Sequence, residues 1–155
     1  MRLLVLVAAL AFAVDQASKW AVVHALDLKT RLDLDVFPPF LVFRMGWNRG
    51  VNFGLLGHDA EIVRWGLIVL ALAICAFVAR WAIREGGTLV LIGGGLLIGG
   101  ALGNVLDRVI YGAVADFLNM SCCGIRNPYS FNVADIFVFA GAAVLLLGSG
   151  RSKTP

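Results

Sequence analysis

Two aspartates stand where a carboxylate is costly to keep. Asp116 lies in Gly112-Ala113-Val114-Ala115-Asp116-Phe117-Leu118, with apolar neighbours on both sides, and Asp135 ends Phe131-Asn132-Val133-Ala134-Asp135. Asn132 is a good helix N-cap, and at three residues' spacing it shares a face with Asp135. A first-turn acid that favours the helix dipole accounts for one aspartate but not for two. Two carboxylates held close cannot both ionise cheaply, so one keeps its proton and the pair titrates as a unit. The ionised partner can then take a proton from a water attacking a peptide carbonyl. The protonated partner can donate to the developing oxyanion and later to the leaving amine. Such chemistry needs no metal and no cofactor. Other hydrolytic equipment is missing: the chain has only His24 and His58, with no H-E-x-x-H and no G-x-S-x-G.

Further polar residues sit in apolar surroundings. Asp15 and Lys19 are four apart and can pair on one helical face, as a structural ion pair or as part of a site. Asn104 and Arg108 share a face one turn apart with Asp107 beside them; they either anchor a helix end in the headgroups or join a buried polar network. Gly95, Gly99 and Gly103 recur every four residues, a spacing that lets a second helix approach closely.

The elements that must position these residues follow from composition. With 155 residues, 60% apolar and only 15% charged, the chain has more apolar surface than a globule of this size can hide, so lipid must cover part of it. Disorder and a disulfide scaffold are excluded, the latter by only three cysteines. A net charge of +3 without any basic cluster argues against nucleic acid as a partner. Four stretches have the length and apolarity of a membrane helix: about Leu3 to Val23, Ile62 to Ile83, Gly86 to Arg108 and Val133 to Gly150. The expected fold is therefore an all-α membrane protein of four transmembrane helices in a single domain spanning residues 1–155. A secretory signal cut after Val23-His24-Ala25 is a competing reading of the N-terminus, disfavoured by Asp15 and Lys19.

Placing both termini in the cytoplasm gives that side Arg2, Arg80, Arg84, Arg151 and Lys153 against Glu85. The long segment from His24 to Glu61 and a short loop from Ile110 to Phe131 then lie outside. The first of these predicts a small antiparallel hairpin: Arg31 to Phe37 alternates polar and apolar, Pro38-Pro39 breaks it, and Phe40 to Trp47 is a second β-prone run. Val51 to Leu56, with Trp47 and Phe53 nearby, reads as a short interfacial helix. On this topology the end of the third helix and the start of the fourth are both at the outer face, where the short loop brings Asp116 and Asp135 together.

At this point the chain resembles a known family. Asp15-Gln16-Ala17-Ser18-Lys19, Asn48-Arg49-Gly50-Val51-Asn52-Phe53-Gly54, Gly99 through Arg108, Val114-Ala115-Asp116-Phe117 and Phe131 through Asp135 are similar, in order and spacing, to the motif set of the bacterial lipoprotein signal peptidases, signal peptidase II. The resemblance implies an aspartyl endopeptidase of the bacterial inner membrane, a monomer among phospholipids, that removes signal peptides from prolipoproteins just before a diacylglyceryl-cysteine. It places the catalytic pair on Asp116 and Asp135. It puts Asn48, Gly50, Asn104, Arg108 and Asn132 at positions that shape the site or hold the substrate, and Asp15 with Lys19 in a supporting pair. The family's extracytoplasmic sheet corresponds to the predicted hairpin. Asn52 departs from the small residue usual before the Phe.

The rival from another class is a small proton-coupled transporter in which Asp15, Asp116 and Asp135 relay protons, for which four spans without an inverted repeat are a poor fit. A third reading makes the polar residues helix glue in an assembly protein. Cys122-Cys123 are free, paired or modified on the oxidising side, and Cys75 is mid-span packing.

Overall fold

The computed structural model describes residues 1–38, 40–50, 60–121 and 127–149. The expected interfacial helix at 51–56, Asn52 and Cys122-Cys123 lie outside those residues. Four long helices carry the architecture: α1 (Arg2–Lys19), α3 (Ala60–Glu85), α4 (Thr88–Tyr111) and α5 (Val133–Ser149). A one-turn helix α2 (Leu28–Arg31) and three strands, β1 (Asp33–Phe37), β2 (Leu41–Asn48) and β3 (Val114–Met120), complete it. After Lys19 the first helix widens into a π turn over Trp20–Ala25, with Leu26 N–H reaching back five residues to the Ala21 carbonyl at 2.9 Å. The segments Arg2–Ala25, Glu61–Glu85 and Thr88–Tyr111 are long and apolar enough to cross a membrane, while Val133–Ser149 is a shorter apolar helix.

Helix α4 is central because its glycines let three neighbours in. A Cβ on Gly95 would strike Val7 and the Leu4 carbonyl, one on Gly99 would strike Ala8 and Ala11, and one on Gly103 would strike the Asp15 carboxylate. That stripe is the contact with α1, and its order makes α1 and α4 run parallel. Gly93 and Gly100 instead face Gly141 and Leu145, and Ala134 and Val138, so α5 runs antiparallel; Gly94 takes Val78 and Ala82 of α3, which is also antiparallel. Where packing rather than apolar transfer holds helices together, such close approach is the main attraction. Leu4, Cys75, Val78, Ala82, Val90, Ile98 and Leu145 form the buried core among the helices.

The predicted hairpin is present, with Asp33 opposite Arg44 and Phe37 opposite Leu41. The expected outer loop from Ile110 to Phe131, however, contains a third strand. β3 pairs antiparallel with β2 at the edge of the sheet, and a single bridge to Phe131 covers its outer side, so Asp116 is carried by a strand rather than by a loop. The run Val114-Ala115-Asp116-Phe117 is nearly all buried, which hides the polar and apolar alternation that marks an outer strand. Phe117 seats the strand against Val22 and Leu28, edge-on to Phe43 with ring centroids 5.8 Å apart. The third span also shifts, ending at Tyr111 and not Arg108, where Gly112 closes it in the left-handed conformation at φ 72°.

Candidate active site

Parallel packing of α1 on α4 and antiparallel packing of α5 bring the charged end of each helix to one end of the bundle. There Lys19 uses all three of its N–H groups: to Asp15 Oδ2 at 2.8 Å, Asp107 Oδ2 at 2.8 Å and Asn104 Oδ1 at 3.1 Å. Lys19, Asp15 and Asp107 are all buried. Each carboxylate reaches onward. Asp15 Oδ1 accepts the Ala134 backbone N–H at 2.8 Å, at the start of α5, where a negative charge complements the helix dipole. Asp107 Oδ2 accepts the Ala115 N–H at 3.1 Å, fixing β3 one residue before Asp116. Gln16 Nε2 bridges Asp15 and Asp107 at 3.1 and 3.3 Å.

The two aspartates are joined through asparagines. Asn132 caps α5 reciprocally: its Oδ1 accepts the Asp135 N–H at 3.0 Å, and its own N–H donates to Asp135 Oδ2 at 3.1 Å. The Asn132 amide donates to Asp116 Oδ1 at 2.7 Å and to Asn104 Oδ1 at 3.1 Å. Asn104 in turn donates to Asp135 Oδ1 at 3.0 Å. Asn48, at the end of β2, lies two residues along the strand from Gly46, near enough for its side chain to favour the ionised form of Asp116. Gly46 is the residue opposite Asp116 in the ladder. Arg108 donates to the Asn104 carbonyl at 3.3 Å, and its charge is felt by Asp116, Asp135 and Asp107.

Among the described residues, no buried side-chain nitrogen or oxygen lacks a hydrogen-bond partner. A fully satisfied network of this kind fixes its members. The Asp116 carboxyl is pushed up from 3.8 to about 6, first by burial and then by the Asp135 charge, against the Asn48 and Asn132 side chains, which favour the ionised form. Asp135, only part-buried, accepts two N–H bonds at a helix start. One carboxyl is thus biased to hold a proton while its partner sits where a negative charge is complemented.

The structure brings together Asp116, Asp135, Asn132, Asn104, Arg108, Asp15 and Lys19. Asn48 lies close to Asp116 on the neighbouring strand, whereas Gly50 stands further off: it sits at φ 93° with its N–H on Asn48 Oδ1 at 2.9 Å, packed against Leu67 and Val63 of α3. Gly50 therefore shapes the turn that presents Asn48. Sequence reasoning gave Asp107 and Gln16 no role. The signal for Asp107 was available, since continuing Gly95, Gly99, Gly103 by four residues lands on it and so on the face that meets Lys19. Gln16 and Gly46 carried no comparable mark.

Fold and cluster together define a helical membrane protein with a paired-carboxylate centre at one end of its bundle. Residues 7–150 match the family Peptidase_A8, described as Signal peptidase (SPase) II. The chain is 41% identical over 140 residues to the lipoprotein signal peptidase of Methylobacterium sp. (strain 4-46), covering 90% of this chain and 84% of the relative. To that of Aeromonas hydrophila it is 40% identical over 152 residues, covering 94% and 87%. A bacterial membrane enzyme solved by the in meso method at 1.9 Å superposes with a TM-score of 0.79 at 25% identity, over 97% of this chain and 94% of that one. The chain belongs to the signal peptidase II family.

Proposed function

We propose that this protein removes signal peptides from prolipoproteins, cutting just before a diacylglyceryl-modified cysteine, with Asp116 and Asp135 as the reacting pair. The observation that carries the reading is the Asn132 and Asn104 bridge, which ties two carboxyls from different elements into one satisfied network. Asp135, as carboxylate, takes a proton from water while the oxygen attacks the peptide carbonyl. Asp116, as the acid, donates to the oxyanion. When the carbon–nitrogen bond breaks, the amine leaves with a proton from the pair, the signal peptide ends in a new carboxylate, and the lipid-modified cysteine becomes an N-terminus. Arg108 shapes the site beside the pair, Asn48 holds the substrate backbone, and Lys19 with Asp15 and Asp107 sets the relative position of α1, α4 and α5.

The whole chain acts as one integral domain. α5 is the fourth span: its 17 residues fall at the lower limit for a tilted or locally thinned crossing, and it packs along the length of α4. Arg2, Arg80 and Arg84 mark the opposite end as cytoplasmic, so the carboxyl pair lies near the outer face of the bacterial inner membrane, where both a membrane-bound signal peptide and water are present. The protein works as a monomer among phospholipids. A proton relay is not favoured, because Asp15, Asp116 and Asp135 all gather at one end of the bundle instead of spanning it. The test is cleavage by the purified protein, in lipid, of one prolipoprotein with and without the diacylglyceryl group. A cut directly before the modified cysteine, with the unmodified form spared, is expected; no cut, or a cut elsewhere, refutes the reading.

A further inference from the structure

Helix α3 contributes none of the polar residues of the carboxylate cluster, yet it holds the end of α4 that carries three of them. Arg64 Nε donates to the Arg108 carbonyl at 2.8 Å, and its second terminal nitrogen donates to the Val109 carbonyl at 3.0 Å. Both carbonyls belong to the last turn of α4, where helical carbonyls lack partners within their own helix and carry the negative end of the dipole. α4 satisfies one of them itself, through Gly112 N–H to the Arg108 carbonyl at 3.1 Å. The guanidinium is itself held. Glu61 accepts from Nη1 at 2.9 Å, Trp65 donates to the other Glu61 oxygen at 3.1 Å, and the guanidinium carbon lies 5.3 Å from the Trp65 ring centroid. Among the described residues these are the only side-chain hydrogen bonds α3 makes.

We propose that Arg64 is a positioning residue for the reaction: a cap supplied by α3 that fixes the Arg108 backbone, and through it the Arg108 guanidinium and Asn104, against the aspartate pair. The inference rests on the assignment of Asp116 and Asp135. Its geometry suits arginine, since the planar guanidinium spreads its donors over a rigid fork of three nitrogens, a span that the single nitrogen of an ammonium does not reproduce. Loosening the clamp lets the last turn of α4 fray, which shifts Arg108 relative to both carboxylates. Misplacement of catalytic groups by about 1 Å costs on the order of 100-fold in rate. Substrate contacts made elsewhere are unaffected.

The experiment compares Arg64→Gln and Arg64→Lys with the unaltered enzyme on a diacylglyceryl-modified prolipoprotein, measuring kcat, KM, the pH dependence of kcat/KM and the thermal midpoint. The expected result is a fall in kcat of roughly 10- to 100-fold with KM within about threefold, together with a displaced pH midpoint, and with lysine failing to restore either. A clamp that serves stability alone would lower the thermal midpoint and leave kcat per folded enzyme and the pH midpoint unchanged; that outcome overturns the proposal. If Arg64→Gln does not fold, Arg64→Lys and Glu61→Gln supply the same readouts. Asp116→Asn measured alongside separates the two readings: cleavage by that variant refutes the aspartate pair, whereas a dead Asp116→Asn beside a fully active Arg64→Gln refutes the clamp alone.

Discussion

Replacing Asp116 by Asn should stabilise the protein at alkaline pH while abolishing its activity. Asp116 is only 5% exposed, and burial followed by the Asp135 charge pushes its carboxyl from 3.8 to about 6. The folded state therefore binds this proton more tightly than the unfolded chain does. Stability from this group is fully present below 3.8 and is lost as pH rises through about 6. At about 1.4 kcal/mol per tenfold, holding the ionised form in place at pH 8 costs about 3 kcal/mol. Asparagine keeps an oxygen to accept the 2.7 Å bond from Asn132, and it removes both the buried charge and its repulsion with Asp135. Thermal unfolding of wild type and Asp116→Asn, in the same detergent from pH 4 to 8, is the assay. The variant should gain several degrees at pH 8, a gain that shrinks steadily towards pH 4. A variant less stable at pH 8, or a gain independent of pH, would refute the reasoning and make Asp116 a structural residue.

Further outcomes follow from the same geometry. Because the acid must be protonated, kcat/KM should fall on the alkaline side with a midpoint at or above about 6; a rate that climbs without an alkaline limb contradicts Asp116 as proton holder. Lys19→Met leaves Asp15 and Asp107 buried without their cation, and should cost about 3–5 kcal/mol in chemical or thermal unfolding and lower activity with it. Gly103→Ala drives a methyl into the Asp15 carboxylate and should lower the thermal midpoint, whereas Gly66→Ala, with nothing within 4 Å, should leave it essentially unmoved.

The helices and the aspartate pair were legible in the sequence because a membrane span is a one-dimensional signal, and because few charges exist in a chain this apolar. The Gly95, Gly99 and Gly103 stripe likewise announced a close helix contact, although not which helix made it. Strand β3 was not legible. Covered by helices on one side and by the hairpin and Phe131 on its edges, it reads as a plain apolar stretch, so Asp116 looked like a loop residue. Nor was the work of Asp107 and Arg64. Each acts on a backbone group, the Ala115 N–H or the carbonyls of Arg108 and Val109, and partners of that kind have no side-chain identity for a sequence to display.

The central claim is that Asp116 and Asp135 together carry the hydrolysis. It is tested most directly by the single-turnover rate at which folded Asp116→Asn and Asp135→Asn, each in lipid, cleave a diacylglyceryl-modified prolipoprotein. Loss of the acid or the base should slow cleavage by at least about 100- to 10,000-fold in each variant. Cleavage by either one within about tenfold of the unaltered enzyme would contradict the pair.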